Sequence, residues 1–457
     1  MGIFGAMTTA ITGLRAQSFA LERISDNIAN SQTTGYKRSD ASFADFVPDS
    51  PSRQQALGVV NAFSRPTNTI QGDIANSEVP THIAVNGDGY FIVGDQTDTI
   101  DGLPVFGSED LYTRRGDFEF DQNGFLVNAA GYFLKGLPID PVTGNPSGSS
   151  PEVIRVSNDF LPASPTTQMD YRANLASYPL TANADPNVPD SELLDPANYV
   201  NDPTAGNDEF IQAADASQFI DDSIAGGAIT AFDAAGASVN VQFRWAKVDT
   251  SLTGGTDTWN LFYLEDSTAT GANPMWRNAG IDYSFAANGQ MSPVVTTTPI
   301  TGLTVNGVNL GNITINHGTS GITQFADTNG VAKVTDINQD GFAAGELVGI
   351  TVSEEGRVVA SYTNGRTVDL AEITLASFNG DGGLAKTDGG AFRATSDSGA
   401  PIIGALGSVV GSALEGSNTD IADEFTKLIV TQQAYAANTR IISTADEMVS
   451  EALNMIR

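Results

Sequence analysis

A mostly β, multi-domain protein with an all-α terminal domain is the fold class this sequence predicts, on three observations. Both ends of the chain carry apolar side chains at heptad spacing. Nearly everything between them alternates and turns in the manner of β-strands. Composition shifts near 140–150, where Pro138, Pro141, Gly144, Pro146 and Gly148 crowd together, and again near 335–345.

At the amino end, Met7, Leu14, Leu21 and Ile28 recur every seven positions, and Ile3, Ala10, Gln17 and Ile24 fill a second seam position. Alternate steps of three and four place these residues on one stripe of a helix, the coiled-coil signature. The helix should stop near Asn30, because Ser31-Gln32-Thr33-Thr34-Gly35 is a run of poor helix formers closed by glycine. At the carboxyl end Ser417-Asn418-Thr419-Asp420 offers N-caps, with Asp423 and Glu424 in the first turn, where the helix dipole favours acid. The second stripe runs Ile421, Phe425, Leu428, Thr431, Tyr435, Asn438, Ile442, Ala445, Val449, Ala452, Ile456, with no Gly or Pro over 419–457.

Strand signals fill the middle. Tyr90-Phe91-Ile92-Val93 follows the turn Asn86-Gly87-Asp88-Gly89, and Asp121-Gln122-Asn123-Gly124 joins two short apolar runs as a hairpin. Val239, Val241, Phe243 and Trp245 alternate with Asn240, Gln242 and Arg244, a strand with one wet face. Val352 and Val358–Tyr362 flank the turn Glu354-Glu355-Gly356, and Asn364-Gly365 closes that hairpin. Residues 151–335 hold six basic and twenty acidic side chains and read as a β domain inserted into another. Residues 46–72 and 400–417 read as irregular connectors.

The net charge of −32 is unevenly placed. Residues 1–45 carry four basic and four acidic side chains and 417–457 carry three and six, so nearly all of the charge lies between. So acidic a body excludes nucleic-acid binding through counterion release and is repelled by anionic lipid. Near-neutral ends suit packing against protein. There is no cysteine, which removes a disulfide framework, thiol catalysis and thiolate metal sites. No cleavable secretory signal is visible behind Met1, and no run approaches the ~20 apolar residues of a membrane span.

Catalytic chemistry finds no anchor. His82 and His317 lack metal-ligand spacing, and no P-loop or nucleophile elbow occurs. Asp336-Ile337-Asn338-Gln339-Asp340-Gly341 opens like a calcium loop, but position 347, where the closing Glu belongs, is Leu; a polar turn is the favoured reading. The expectation is a non-enzyme with no catalytic residues, no metal and no cofactor.

Asn27-Ile28-Ala29-Asn30-Ser31-Gln32-Thr33-Thr34-Gly35-Tyr36-Lys37-Arg38 resembles the segment after the first helix of flagellar rod, hook and hook-associated axial proteins. Ser42-Phe43-Ala44-Asp45-Phe46 is similar to hook proteins in particular. Leu414-Glu415-Gly416-Ser417-Asn418-Thr419-Asp420 and Gln432-Gln433-Ala434-Tyr435-Ala436-Ala437-Asn438 match the family's carboxyl-terminal helix. The resemblance covers about the first 130 and last 120 residues and does not extend over 150–335.

That resemblance implies a structural subunit of the bacterial flagellar hook, polymerising into a flexible tubular joint between rod and filament. It implies an inner domain of paired terminal helices, a coiled coil, from 1–30 and 418–457. Connectors would be 31–72 and 400–417, a middle β domain 73–150 and 336–399, and an inserted outer β domain 151–335. Helix pairing and polymerisation would fall on Met7, Leu14, Leu21, Ile24, Ile28, Phe425, Leu428, Tyr435, Ile442, Val449 and Ile456, and the family motif on Asn27, Asn30, Gly35, Tyr36 and Lys37. Partners would be further copies of the chain, rod and hook-associated junction proteins, a hook cap protein and the flagellar type III export apparatus, with no nucleic acid and no membrane span. The location would be the extracellular flagellum, reached without a cleaved signal peptide. Among alternatives, a distal rod protein is much shorter, and the first hook-associated junction protein has Pro-Gly-Tyr where Thr34-Gly35-Tyr36 stands. A calcium-binding adhesin leaves the end helices unexplained. The terminal stripes should order fully only on assembly, Asn27, Asn30 and Gly35 should set the exit from the first helix, and Lys37 and Arg38 should be solvated surface charges.

Overall fold

The computed structural model describes residues 3–46, 59–140, 143–157, 159–204, 210–404 and 407–455. The chain is mostly β, with helix α1 (Ile3–Ala29), a short α2 (Ala216–Asp221) and α3 (Ile421–Met455). It forms two compact units, Met1–Asp159 with Leu347–Arg457, and Phe160–Glu346.

In the first unit, α1 ends where the run of poor helix formers begins. The chain then forms a two-stranded antiparallel hairpin, β1 (Ser39–Phe46) and β2 (Val59–Pro66), against which α1 packs. Strands β3 (Ile74–Asn76) and β4 (Ile83–Asn86) pair with Ala413–Glu415 and Ser408–Gly411, so the incoming and returning chains run side by side. The stretches read as irregular connectors therefore carry paired strands; their backbone groups lie in ladders although their side chains alternate poorly. The large sheet has as neighbours Leu347–Val352, Arg357–Tyr362, Thr367–Glu372, Phe133–Pro138, β5 (Tyr90–Ile100), β6 (Leu103–Thr113) and Ala391–Arg393. Its core gathers Ile83, Val85, Phe91, Val93, Phe118, Leu126, Leu134 and Val358. The 118–128 hairpin turns at Gly124 with φ +82°.

The second unit packs two five-stranded sheets. One holds Gln168–Asn174 with Thr297–Val305, Val308–Asn316, Ile322–Thr323 and Lys333–Gln339; the other holds Phe210–Gln212, Ile224–Phe232, Ser238–Asp249, Thr258–Leu264 and Pro274–Ser284. Alternation in Ser238–Asp249 buries Val239, Val241, Phe243 and Trp245, as the sequence pattern requires. Tyr171, Trp245, Trp259 and Tyr283 are fully buried between the sheets, each removing a large apolar surface from water. The base of this unit is closed by antiparallel bridges, Leu161 to Gly345 and Ser164 to Phe342.

Asp336–Gln339 lies in the strand Lys333–Gln339, paired with Gln168–Asn174, and is not the polar turn expected from sequence. Extended backbone sets Asp336 and Asn338 in line on one face, their Cα atoms about 6–7 Å apart, and does not curl them around a point; the Asn338 amide donates to the Asp336 carboxylate. The Asp340 carboxylate caps the Thr167 and Gln168 amides at 2.8 and 3.0 Å.

His317 is buried in this core. Its Nδ1 faces the Tyr171 carbonyl at 3.1 Å, and its Nε2 lies 3.0 Å from the Tyr283 hydroxyl and 3.1 Å from Thr298 Oγ1. Burial holds its pKa below the usual value. The unfolded chain thus binds a proton near pH 6.5 that the folded unit takes up only at lower pH, so stability is lost as pH falls from 6.5 through the folded pKa. Urea unfolding followed by tryptophan emission, which reports only this unit, should show its midpoint falling from pH 7 to 5. The His317→Gln variant should lose part of that slope, the difference being at most about 1.4 kcal/mol per pH unit.

Candidate functional site: the paired terminal helices and their junction

Two helices drawn from opposite ends of the sequence lie against one another in the first unit. Asn27 meets Glu424 through a 3.2 Å hydrogen bond, and a Cβ at Gly13 would stand 3.1 Å from Asn438 Nδ2. Rising numbers on one helix meet falling numbers on the other, so the pairing is antiparallel.

The surfaces that meet are built from small and polar residues. On α1, Ala10, Ala16, Ala20, Ile24 and Asn27 are buried, whereas Met7, Leu14, Leu21 and Ile28 are half-buried. On α3, Glu424, Thr431 and Ala445 are buried, and Leu428, Asn438, Ile442 and Val449 are half-buried. Small side chains let helix backbones approach closely. Phe425 and Tyr435, expected in the pairing seam, are instead 49% and 41% exposed. The stripe is covered at Leu428, Thr431, Asn438, Ile442, Ala445 and Val449, but near its amino end the buried side chain is Glu424, one position before Phe425. Ile456 lies outside the described residues. Much of the apolar surface of α3 is left uncovered: Ile421, Phe425 and Ile429 follow one another at four-residue steps, and Ile441, Met448 and Met455 at seven.

The family-motif residues converge below the helix pair. Asn27 uses its whole amide: Nδ2 donates to the Ser39 carbonyl at 3.1 Å and to Glu424, while Oδ1 accepts from Ser39 N at 3.1 Å and the Tyr36 hydroxyl at 3.3 Å. A buried amide with every group satisfied fixes a unique geometry. Asn30 Nδ2 donates to the Asp26 carbonyl at 2.9 Å and closes the last helical turn. Asn418 joins its own segment to two others, accepting from Arg38 N at 2.8 Å and donating to the carbonyls of Thr67 and Ile70 at 3.1 Å each. At the head of α3, Asp420 accepts from the Ala422 amide at 2.8 Å, the N-cap expected there.

Lys37 is not a solvated charge. Its side chain is fully buried, and Nζ donates to Glu415 Oε1 and to the Ile70 carbonyl, both at 2.6 Å. Glu415, equally buried, also accepts from Gly72 N at 2.8 Å, and its other oxygen lies 3.3 Å from Arg114 Nη1. Burial pushes the Lys37 ammonium below its usual pKa, against the attraction of Glu415. Arg38 is half-buried, 3.7 Å from Glu424. Sequence reasoning missed Arg114, Glu415 and Glu424 as partners. Glu415 lies within a quoted motif, but its cations are 378 and 301 positions away, beyond any local pattern.

Gly35 adopts φ +65°, and a Cβ there would fall 2.6 Å from Arg115 N. Its amide donates to the Glu415 carbonyl at 2.8 Å. Gly35→Ala should therefore destabilise the first unit by about 2–4 kcal/mol, through strain and backbone clash together. Chemical denaturation read by backbone circular dichroism should show the loss, with tryptophan emission unchanged at low denaturant.

Family comparisons agree with this layout from end to end. Residues 7–37 match the model described as flagella basal body rod protein, and 84–160 the flagellar hook protein FlgE/F/G D1 domain. Residues 202–342 match the flagellar basal body protein FlaE D2 domain, and 410–455 the flagellar basal body rod FlgEFG protein C-terminal model. The D2 match falls on the inserted region for which the sequence offered no resemblance. The chain is 28% identical to the flagellar hook protein FlgE of Brucella suis, all of both chains being covered, and 28% identical to that of Escherichia coli K12 over 98% of this chain and 100% of the relative. In fold it is similar to the Helicobacter pylori flagellar hook protein FlgE2, with a TM-score of 0.51 and 15% identity, covering 75% of this chain and 100% of that one. Matched in order along its length and aligned in full with relatives of one name, the chain belongs to the bacterial flagellar hook protein family.

Proposed function

We propose that the chain is a structural subunit of the flagellar hook, polymerising into a flexible tube between rod and filament. The observation that carries this reading is the uncovered apolar surface of α3 in a helix pair made from both chain ends. Burying such surface stabilises by roughly 25 cal/mol per Å², and neighbouring copies can supply the cover. Contacts related by a screw operation join unlike surfaces and do not close, so growth continues.

On this reading the helices of 1–30 and 418–457 form a coiled-coil inner domain around a channel. Residues 73–150 with 336–399 form the middle domain, and 151–335 the outer one. Ile24, Leu428, Ile442 and Val449 act in pairing within the subunit. Phe425 and Tyr435 contact neighbours, and Met7, Leu14, Leu21 and Ile28 finish their burial in the polymer. The role is structural and not enzymatic. Rod proteins, hook-associated junction proteins and a cap protein are the partners at the two ends of the tube. Export proceeds through the flagellar type III apparatus without a cleaved signal peptide, to the outside of the cell.

Replacing Phe425 and Ile429 by Asp should leave the melting of the monomer unchanged, because both are exposed. It should raise the protein concentration needed for salt-induced tubes by at least about tenfold. Electron microscopy and sedimentation read the outcome; tubes at the wild-type concentration would remove α3 from the assembly surface. Brief proteolysis adds a second reading, the terminal helices being cut in the monomer and protected in the tube.

A further inference from the structure

The cluster of Lys37, Glu415 and Arg114 ties five separate segments together. Lys37 comes from the arm that follows α1, Arg114 from the end of β6, and Glu415 from the strand that pairs with β3. Glu415 Oε1 also takes the Gly72 amide at 2.8 Å, and Arg114 Nη2 donates to the Gly87 carbonyl at 2.8 Å. The side chains of Lys37 and Glu415 have no exposed surface, and that of Arg114 has 3%. Two buried cations thus face one buried carboxylate.

We propose that this cluster is a positioning latch: Glu415, delivered by the returning C-terminal strand, is the counter-charge without which the N-terminal arm does not dock. The argument lies in an asymmetry. Removing Lys37 leaves Glu415 beside Arg114 and the Gly72 amide, so its charge remains compensated. Removing the charge of Glu415 leaves two cations buried with no carboxylate bonded to them, and such a charge is expelled unless it is paired. Lys37 sits on a short arm and can escape by undocking. Arg114 is held by β6 and by the Gly87 carbonyl.

Undocking of the arm breaks further contacts. Gly35 N gives up the Glu415 carbonyl, Asn418 N gives up the Tyr36 carbonyl, and Arg38 N gives up Asn418 Oδ1. The base of α1 is held by that same arm through Asn27 and Ser39. The latch therefore makes placement of the first helix conditional on arrival of the segment that leads into the last. It holds for the single chain and does not depend on the hook reading.

The test is hydrogen exchange on the full-length monomer, comparing Lys37→Met, Glu415→Gln and the double variant. Glu415→Gln should speed exchange over residues 33–42 by at least about a hundredfold. Lys37→Met should change it much less, and the double variant should be better protected than Glu415→Gln. Backbone circular dichroism is the folding control for the first unit, and tryptophan emission that for the second, where Trp245, Trp259 and Trp276 all lie. A double variant exchanging as fast as Glu415→Gln, or faster, would overturn the latch, as would a Glu415→Gln arm as protected as wild type. Should Glu415→Gln leave the first unit unfolded, refolding by the added Lys37→Met supports the latch and failure to refold overturns it.

Discussion

Burying a carboxylate completely is tolerable only where its partners are held in place, and Glu415 imposes that constraint on the first unit. The Lys37 ammonium, the Gly72 amide and the Arg114 guanidinium must meet it at once, and they come from the arm, the segment before β3, and the end of β6. Few arrangements of the connecting strands satisfy all of them. The ladders of Ala413–Glu415 with β3 and Ser408–Gly411 with β4 place the carboxylate, and the helix pair stands on the result. Specificity follows from this more than stability does, because desolvation offsets much of the attraction within any buried ion pair.

Above that junction the helix pair is selective in another way. The buried face of α1 is rich in alanine and admits a close neighbour, and a Cβ at Gly13 would press against the Asn438 amide. Such a seam sets distance and register while burying modest apolar area per residue. Other large apolar residues of α3, Ile421, Phe425, Ile429, Ile441 and Met448 among them, point elsewhere. One helix thus carries two faces with different work, one closing the subunit and one open to its surroundings.

Both long helices were legible in the sequence because heptad spacing survives any tertiary context, and so were Asp420 as cap, the 118–128 hairpin and the alternating strand 238–249. The face of α3 was less legible. A stripe fixes periodicity, but which of its residues meet the partner helix within the subunit depends on where small and polar side chains fall, and Phe425 and Tyr435 stay on the open side. The strands β1, β2 and Ser408–Gly411 were missed because they follow pairing and not side-chain alternation. Lys37 was misread outright: exposure is the usual state of a lysine, and its anion is remote in sequence. The strand at 333–339 shows the same limit, since a polar repeat ending in glycine looks like a loop until a neighbouring strand claims its backbone.

The second unit closes its own base with the bridges of Leu161 to Gly345 and Ser164 to Phe342. Partners bridged in this way stand about 5 Å apart, so the demand made on the remainder of the chain is a pair of adjacent ends. Any folded cassette with neighbouring termini meets that demand. Length and surface in this part of the molecule are thereby released from the geometry of the helices, and can drift, grow or be exchanged while the scaffold that receives them stays the same.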